Sequence, residues 1–288
     1  MASEIEKSGT NKGTEVNSQT DRDMVMSAND KFLLDMPTFL PDYSEQEEYG
    51  YKNKPGRNLE ELLRKSSKNH CMYCYSLLKN DRVNIGHLEH SIEKSLDELH
   101  LTECVPNIAL ACPNCNQSLK KVGEKKRIAE LQEAKIEFET KLVCRGNVCR
   151  SECEKYKKLK KEYCRKAQII LQPSGVRGEN SNLENKIQYD VNNAEFIPDE
   201  KYQYDEYDLD YIKRHINRFK LNDPGIKTKA LANFVEDVIE ADGKYREQSE
   251  YPNYIVDLFK EKIRDMSQEK VLELCEQIYI RNVILFRT

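Results

Sequence analysis

Histidine is scarce in this chain, with five in 288 residues. No apolar run approaches the ~18 residues of a membrane-spanning helix, so a transmembrane protein is not expected. The opening stretch, MASEIEKSGTNKGTEVNSQTDRD, lacks the apolar segment of a secretory signal. Ten cysteines without such a signal point to a reducing compartment, where paired cysteines serve more often as metal ligands than as disulfides. The expected location is the cytoplasm. Net charge is −4, from 46 basic and 50 acidic residues, which gives no global attraction to nucleic acid. No internal repeat and no coiled-coil heptad is visible.

Charge is nevertheless unevenly placed. Residues 120–166 carry sixteen Lys and Arg against eight Asp and Glu, whereas residues 195–210 carry seven acids and one lysine. The basic stretch fits a surface that tracks phosphates, and equally a solvated helix face. Residues 1–28 are polar and aperiodic, the composition of a disordered tail. A helical segment is expected over 29–66, where Leu59, Leu62 and Leu63 share a face. A cysteine-histidine block spans 67–122, and a basic helical hairpin is expected over 123–172, broken at Gly146 and stopped before Pro173. Residues 173–225 read as a loop, a β-hairpin in NKIQYDVNNAEFIP with Asn192 and Asn193 in its turn, and the acidic segment. Residues 226–288 repeat apolar positions at three and four, as helices do. The fold class expected is α+β, mostly helical.

The block at 67–122 concentrates the chemistry. Cys71-x2-Cys74 and Cys112-x2-Cys115 form two knuckles 37 residues apart. A two-residue spacer lets one tight turn present two thiolates, and two such turns complete the tetrahedron of a structural Zn²⁺ with no open position for catalysis. Between them, Val83, Ile85 and Leu88 alternate as in a strand with a slip at Gly86, ending near His90. On that strand His87 and Glu89 share one face and His90 the other. The second knuckle opens a helix with Asn116 and Lys120 four apart, so that strand, strand and helix form a ββα unit able to bring a carboxylate, an imidazole and an amide to one surface.

The run C-x2-C … LEH-x3-KS … PNIALACP-x-CN-x3-K resembles the HNH nucleases, the ββα-metal endonucleases. The resemblance implies a small HNH core with a four-Cys zinc site, flanked by long helices. It implies His90 as general base, Asn107 as the amide that braces the base-bearing loop, and Glu89 and Asn116 as ligands of a catalytic Mg²⁺ or Mn²⁺. His87 would either join that metal or cap the strand. Lys94, Lys120 and Lys121 would face nucleic acid. These residue types suit phosphodiester hydrolysis, since histidine titrates near neutrality and oxygen ligands suit a hard cation on the phosphate. His70, His100 and His215 have no partner in the sequence and take no role.

Cys144, Cys149, Cys153 and Cys164 form a second group, read either as another zinc site or as reduced thiols in a helix–helix seam. Cys104 and Cys275 look like ordinary core or surface cysteines. The stretch from IILQPSG to FKLNDPG is similar to the segment after the core in HNH nucleases of Septu and retron anti-phage systems, which implies an ATPase partner. The acidic stretch 195–210 would then be a docking surface, or else a hydrated loop. The leading expectation is a metal-dependent endonuclease, with DNA favoured over RNA as substrate. Its rival is a zinc-stabilised module that binds nucleic acid or protein without cleaving.

Overall fold

The computed structural model describes residues 31–44, 48–96, 101–133, 151–223, 229–247 and 251–287. The tail expected at 1–28 lies outside these residues. The fold is α+β, with small antiparallel sheets among more extensive helices.

One sheet joins distant parts of the chain. Strand β1 (Leu33–Asp35) pairs antiparallel with β6 (Ile187–Asp190), which pairs with β7 (Glu195–Pro198). The β6–β7 hairpin falls where the sequence places it. Its turn is held by Asp190, whose side chain accepts from the backbone N–H groups of Asn192 and Asn193 at 2.9 and 3.2 Å. Strand β1 is a correction, because residues 29–66 were expected to be helical only. Three residues carry too little pattern to announce a strand, and its partner lies some 150 positions away.

Helix α1 (Asn53–Ser66) buries Leu59, Leu62 and Leu63 and ends on Arg64 and Lys65, which suit the negative end of the helix dipole. Gly56 lets it start tightly, since a Cβ there would lie 2.7 Å from the Tyr51 carbonyl oxygen. The short pair β2 (Lys79–Asn80) and β3 (Val83–Asn84) precedes β4 (His87–His90), and the break at 85–86 matches the slip read at Gly86. Strand β4 pairs antiparallel with the fully buried β5 (Ile108–Ala111).

Of the basic hairpin, α2 (Glu124–Glu133) and α3 (Glu154–Ala167) are described. Helix α3 buries Tyr156, Leu159, Tyr163 and Cys164 and leaves Lys157, Lys158, Lys161, Arg165 and Lys166 exposed. It stops at Gln168, which is left-handed, five residues before Pro173. Helices α4 (Glu206–Arg218), α5 (Ala230–Glu240), α6 (Tyr254–Ile263) and α7 (Gln268–Arg287) complete the described chain. Helix α6 packs on β1, with Phe259 at 5.5 Å from Phe32, and α4 packs on β7. Among the described residues no helix is long and apolar enough to cross a membrane.

Three of the seven acids in segment 195–210 are used internally. Asp199 caps the N–H of Lys201, Asp205 caps α4 by accepting from Asp208 N at 2.8 Å, and Asp208 is fully buried. These three acids are committed to local structure and not to an exposed acidic patch.

Candidate metal centre and histidine site

The first knuckle follows α1 in a tight turn, with Tyr75 at positive φ and its N–H donating to Cys71 O at 2.9 Å. The second follows β5 directly. The four sulfurs of Cys71, Cys74, Cys112 and Cys115 all lie within 4.8 Å of one another. Four thiolates at ~2.3 Å around a tetrahedral Zn²⁺ would stand about 3.8 Å apart, and Cys74 Sγ and Cys112 Sγ are separated by 3.8 Å. Backbone N–H groups of Cys112 and Cys115 donate to the sulfurs of Cys71 and Cys112 at 3.3 and 3.4 Å. Hydrogen bonds from Cys115, Cys71 and Cys74 hold the Cys112 thiol far below its ordinary range. This donor set fits zinc, and it is the one such cluster of His, Cys, Asp and Glu among the described residues.

The knuckle is also tied to the C-terminal helices. Leu77 N donates to Pro252 O and Tyr254 N to Tyr75 O, both at 3.0 Å. His70 is buried against the Tyr254 ring at a centroid distance of 5.1 Å, and burial lowers its pKa.

Strand β4 alternates as expected. His87 and Glu89 face the helical turn after the second knuckle, where Gln117 lies 3.5 Å from His87 Nδ1 and Lys120 pairs with Glu89. That turn has π-helical spacing over Cys115–Leu119, closed by Lys120 N donating to Cys115 O at 3.0 Å. Such bulges recur at functional sites. It swings Lys120 inward. Lys120, expected to contact nucleic acid, is instead buried at 5 % exposure, with its ammonium donating to Glu89 and to the carbonyl of His90.

Glu89 is 3 % exposed and also accepts from Tyr73 Oη at 2.9 Å. The ligand set that the resemblance implies for Mg²⁺ or Mn²⁺ therefore does not fit this arrangement. A divalent ion on Glu89 would stand beside the Lys120 ammonium in a buried pocket, where like charges repel strongly. Asn116 is half-buried on the same turn, and His87 is exposed.

His90 leaves the strand on the other side. Its Nε2 lies 2.9 Å from Thr102 O, and since a carbonyl only accepts, the ring proton sits on Nε2 and the Nδ1 lone pair is left free. Burial lowers its pKa, so the ring is neutral at pH 7. The Tyr51 ring packs on it at 4.4 Å, and exposed Lys94 stands 5.8 Å from the Tyr51 centroid. Lys121 is exposed as well. His90 thus stands on the opposite side of β4 from Glu89, His87 and the turn that carries Asn116.

Asn107 is fully buried and grips the segment after His90. Its Oδ1 accepts from Ile92 N at 2.8 Å and from Tyr156 Oη at 3.1 Å, and its Nδ2 donates to Ile92 O at 3.0 Å. Beneath it, Glu93 accepts from Arg127 at 2.6 Å and from Tyr163 Oη at 2.8 Å, so this buried acid is paired twice. Sequence reasoning missed Tyr51, Tyr73 and Thr102. Thr102 acts through its carbonyl, which leaves no trace in residue type, and the two tyrosines gain meaning only from their neighbours.

Of the second cysteine group, Cys144 and Cys149 lie outside the described residues, as does His100. Cys153 caps α3, accepting from Tyr156 N at 3.5 Å, and Cys164 is buried with its pKa raised to about 11 by burial. Cys104 and Cys275 are both core residues. His215 is buried and accepts from Ile170 N at 2.9 Å through Nδ1, with burial lowering its pKa to about 3. No protein-family model, curated protein or solved structure matches this chain.

Proposed function

We propose that the chain is an HNH-type phosphodiesterase acting on nucleic acid, DNA before RNA, with His90 as its general base and a structural zinc in the four-Cys cluster. The observation that carries this reading is His90 itself. It is neutral at pH 7, has its tautomer set by the Thr102 carbonyl, and is steadied by the Asn107 clamp on the following residues. In this reading Nδ1 accepts the proton of the water that attacks phosphorus, and the released oxygen takes a proton from solvent. Lys94 and Lys121 lie exposed on the same block and would draw the phosphate backbone. The resemblance of the later segment supports service in an anti-phage complex beside an ATPase.

The Glu89–Lys120 pair favours a second reading, a zinc-stabilised module that binds nucleic acid or protein without cutting it. One experiment separates the two. Purified protein is incubated with plasmid DNA and with total RNA in Mg²⁺, in Mn²⁺ and in EDTA, alongside His90→Ala. Cleavage that His90→Ala lowers on the order of 10²–10⁴-fold, with zinc content unchanged, supports the nuclease. Binding without cleavage under every condition supports the module.

A further inference from the structure

Four of the exposed cations of α3 already face carboxylates. Lys157 pairs with Glu154 at 2.8 Å, Lys161 with Glu179 at 3.3 Å, Arg165 with Glu162 at 2.7 Å and with Glu179, and Lys166 with Glu130 at 3.7 Å. A cation held in this way gains less from a phosphate, because it exchanges one anion for another.

A second group of cations is not paired. Residues 51–58, YKNKPGRN, carry Lys52, Lys54 and Arg57 and no acid. All three are exposed, and none has an ion pair among the described residues. Lys54 and Arg57 stand three apart on α1 and share a face, away from the buried Leu59, Leu62 and Leu63. Exposed Glu48 and Glu61 lie before and after the group in the chain.

This group begins at the residue that packs on His90. The Tyr51 ring lies 4.4 Å from the His90 ring, and the exposed Lys94 ammonium stands 5.8 Å from the Tyr51 centroid. Tyr51 N donates to the Glu103 carboxylate at 2.7 Å, which occupies that acid and ties the segment beside Thr102, whose carbonyl meets His90 Nε2.

We propose that Lys94, Lys52, Lys54 and Arg57 form a surface that holds the phosphate backbone of a nucleic acid and leads it to His90. The proposal rests on nucleic acid as the ligand in the reading above, and not on cleavage. Each cation that neutralises a phosphate releases a condensed counterion, so the signature of the surface is the salt dependence of affinity.

The test is fluorescence anisotropy of the zinc-loaded full chain with labelled single-stranded and duplex DNA, across a range of salt and without added Mg²⁺ or Mn²⁺. The triple variant Lys52→Ala, Lys54→Ala, Arg57→Ala should weaken binding by about tenfold or more at low salt and reduce the slope of log K against log salt by about 2–3. Lys94→Ala should reduce it by about 1. A triple variant of the paired cations, Lys157→Ala, Lys161→Ala, Arg165→Ala, should reduce it less than the first. Such losses in a protein that never cleaves in Mg²⁺ support the surface and remove the nuclease. Cleavage and binding left unchanged by the first triple variant overturn the surface and keep the nuclease. No DNA binding by the wild-type chain, or a larger loss from the α3 variant, also overturns the surface. So does polyglutamate that displaces DNA at equal charge, which assigns the surface to an acidic protein segment. If circular dichroism shows the first triple variant unfolded, Lys94→Ala and the three single variants decide by the same slope.

Discussion

The four-Cys cluster and the Glu89–Lys120 pair come from the same fifty residues, yet they bear differently on what the sequence implied. The cysteines converge on one another, with every sulfur within 4.8 Å of the rest. Glu89 turns away from solvent and is neutralised by a lysine from the turn that the second knuckle begins. Thiols within the protein have few competing partners that satisfy them as well as a shared metal does. A carboxylate has many, and its nearest cation wins. Motif spacing is therefore a stronger guide to a soft metal site than to a hard one.

The largest effect should come from the side of the comparison that matched. Serine at Cys71 or Cys112 would remove a ligand of the zinc proposed for this cluster, and structural zinc contributes on the order of 10–16 kcal/mol to small zinc sites. Insoluble or unfolded protein with the zinc stoichiometry lost is the expected result, read by metal analysis and circular dichroism. A folded, zinc-free variant breaks the comparison.

Lys120→Met tests the other side. It leaves the Glu89 charge buried with only Tyr73 as a partner, at a cost of about 3–5 kcal/mol. The double variant Glu89→Leu, Lys120→Met should recover part of that loss in urea denaturation. A double variant no better than the single would show that Lys120 matters through the His90 carbonyl and not through Glu89.

Asn107→Ala strips partners from both backbone groups of Ile92, and a loss of about 1–3 kcal/mol is expected in the same measurement. If cleavage is present, this variant should also lower its rate without changing zinc content.

The smallest effect per unit is a pH slope. His215 is pushed down to about 3 in the folded state, while an unfolded histidine titrates near 6.5. Between those values the unfolded chain binds the extra proton, so stability is full above pH 6.5 and falls as pH drops, by up to about 1.4 kcal/mol per pH unit for this residue. His70 and His90 shift in the same direction. Thermal melting between pH 7 and 5 should show the decline, and it should be shallower in His215→Gln. A flat profile would mean that His215 is reached by solvent.

His215 illustrates what a sequence withholds. It has no partner legible in the sequence and takes no role there, yet it accepts from a backbone N–H 45 residues away. Replacing it should cost stability whether or not cleavage changes. The hairpin at 187–198 was legible because its pairing is local and its turn residues are adjacent. Strand β1 was not, because its partner is remote. Lys120 is placed against nucleic acid by the resemblance, whereas in the structure it follows the π-helical turn and is buried against Glu89.

What the sequence by itself determined here is local. Two-residue spacers fix two knuckles, alternation fixes β4 and the opposite faces of Glu89 and His90, and apolar spacing fixes α1 and the C-terminal helices. The tertiary structure decided which charged groups meet. Lys120 neutralises Glu89, the Thr102 carbonyl orients His90, Asp199 and Asp205 serve as caps, and Asp208 is buried against Ser181. Backbone geometry follows from neighbours a few residues away, whereas desolvation and charge pairing depend on what the rest of the chain places within a few ångströms.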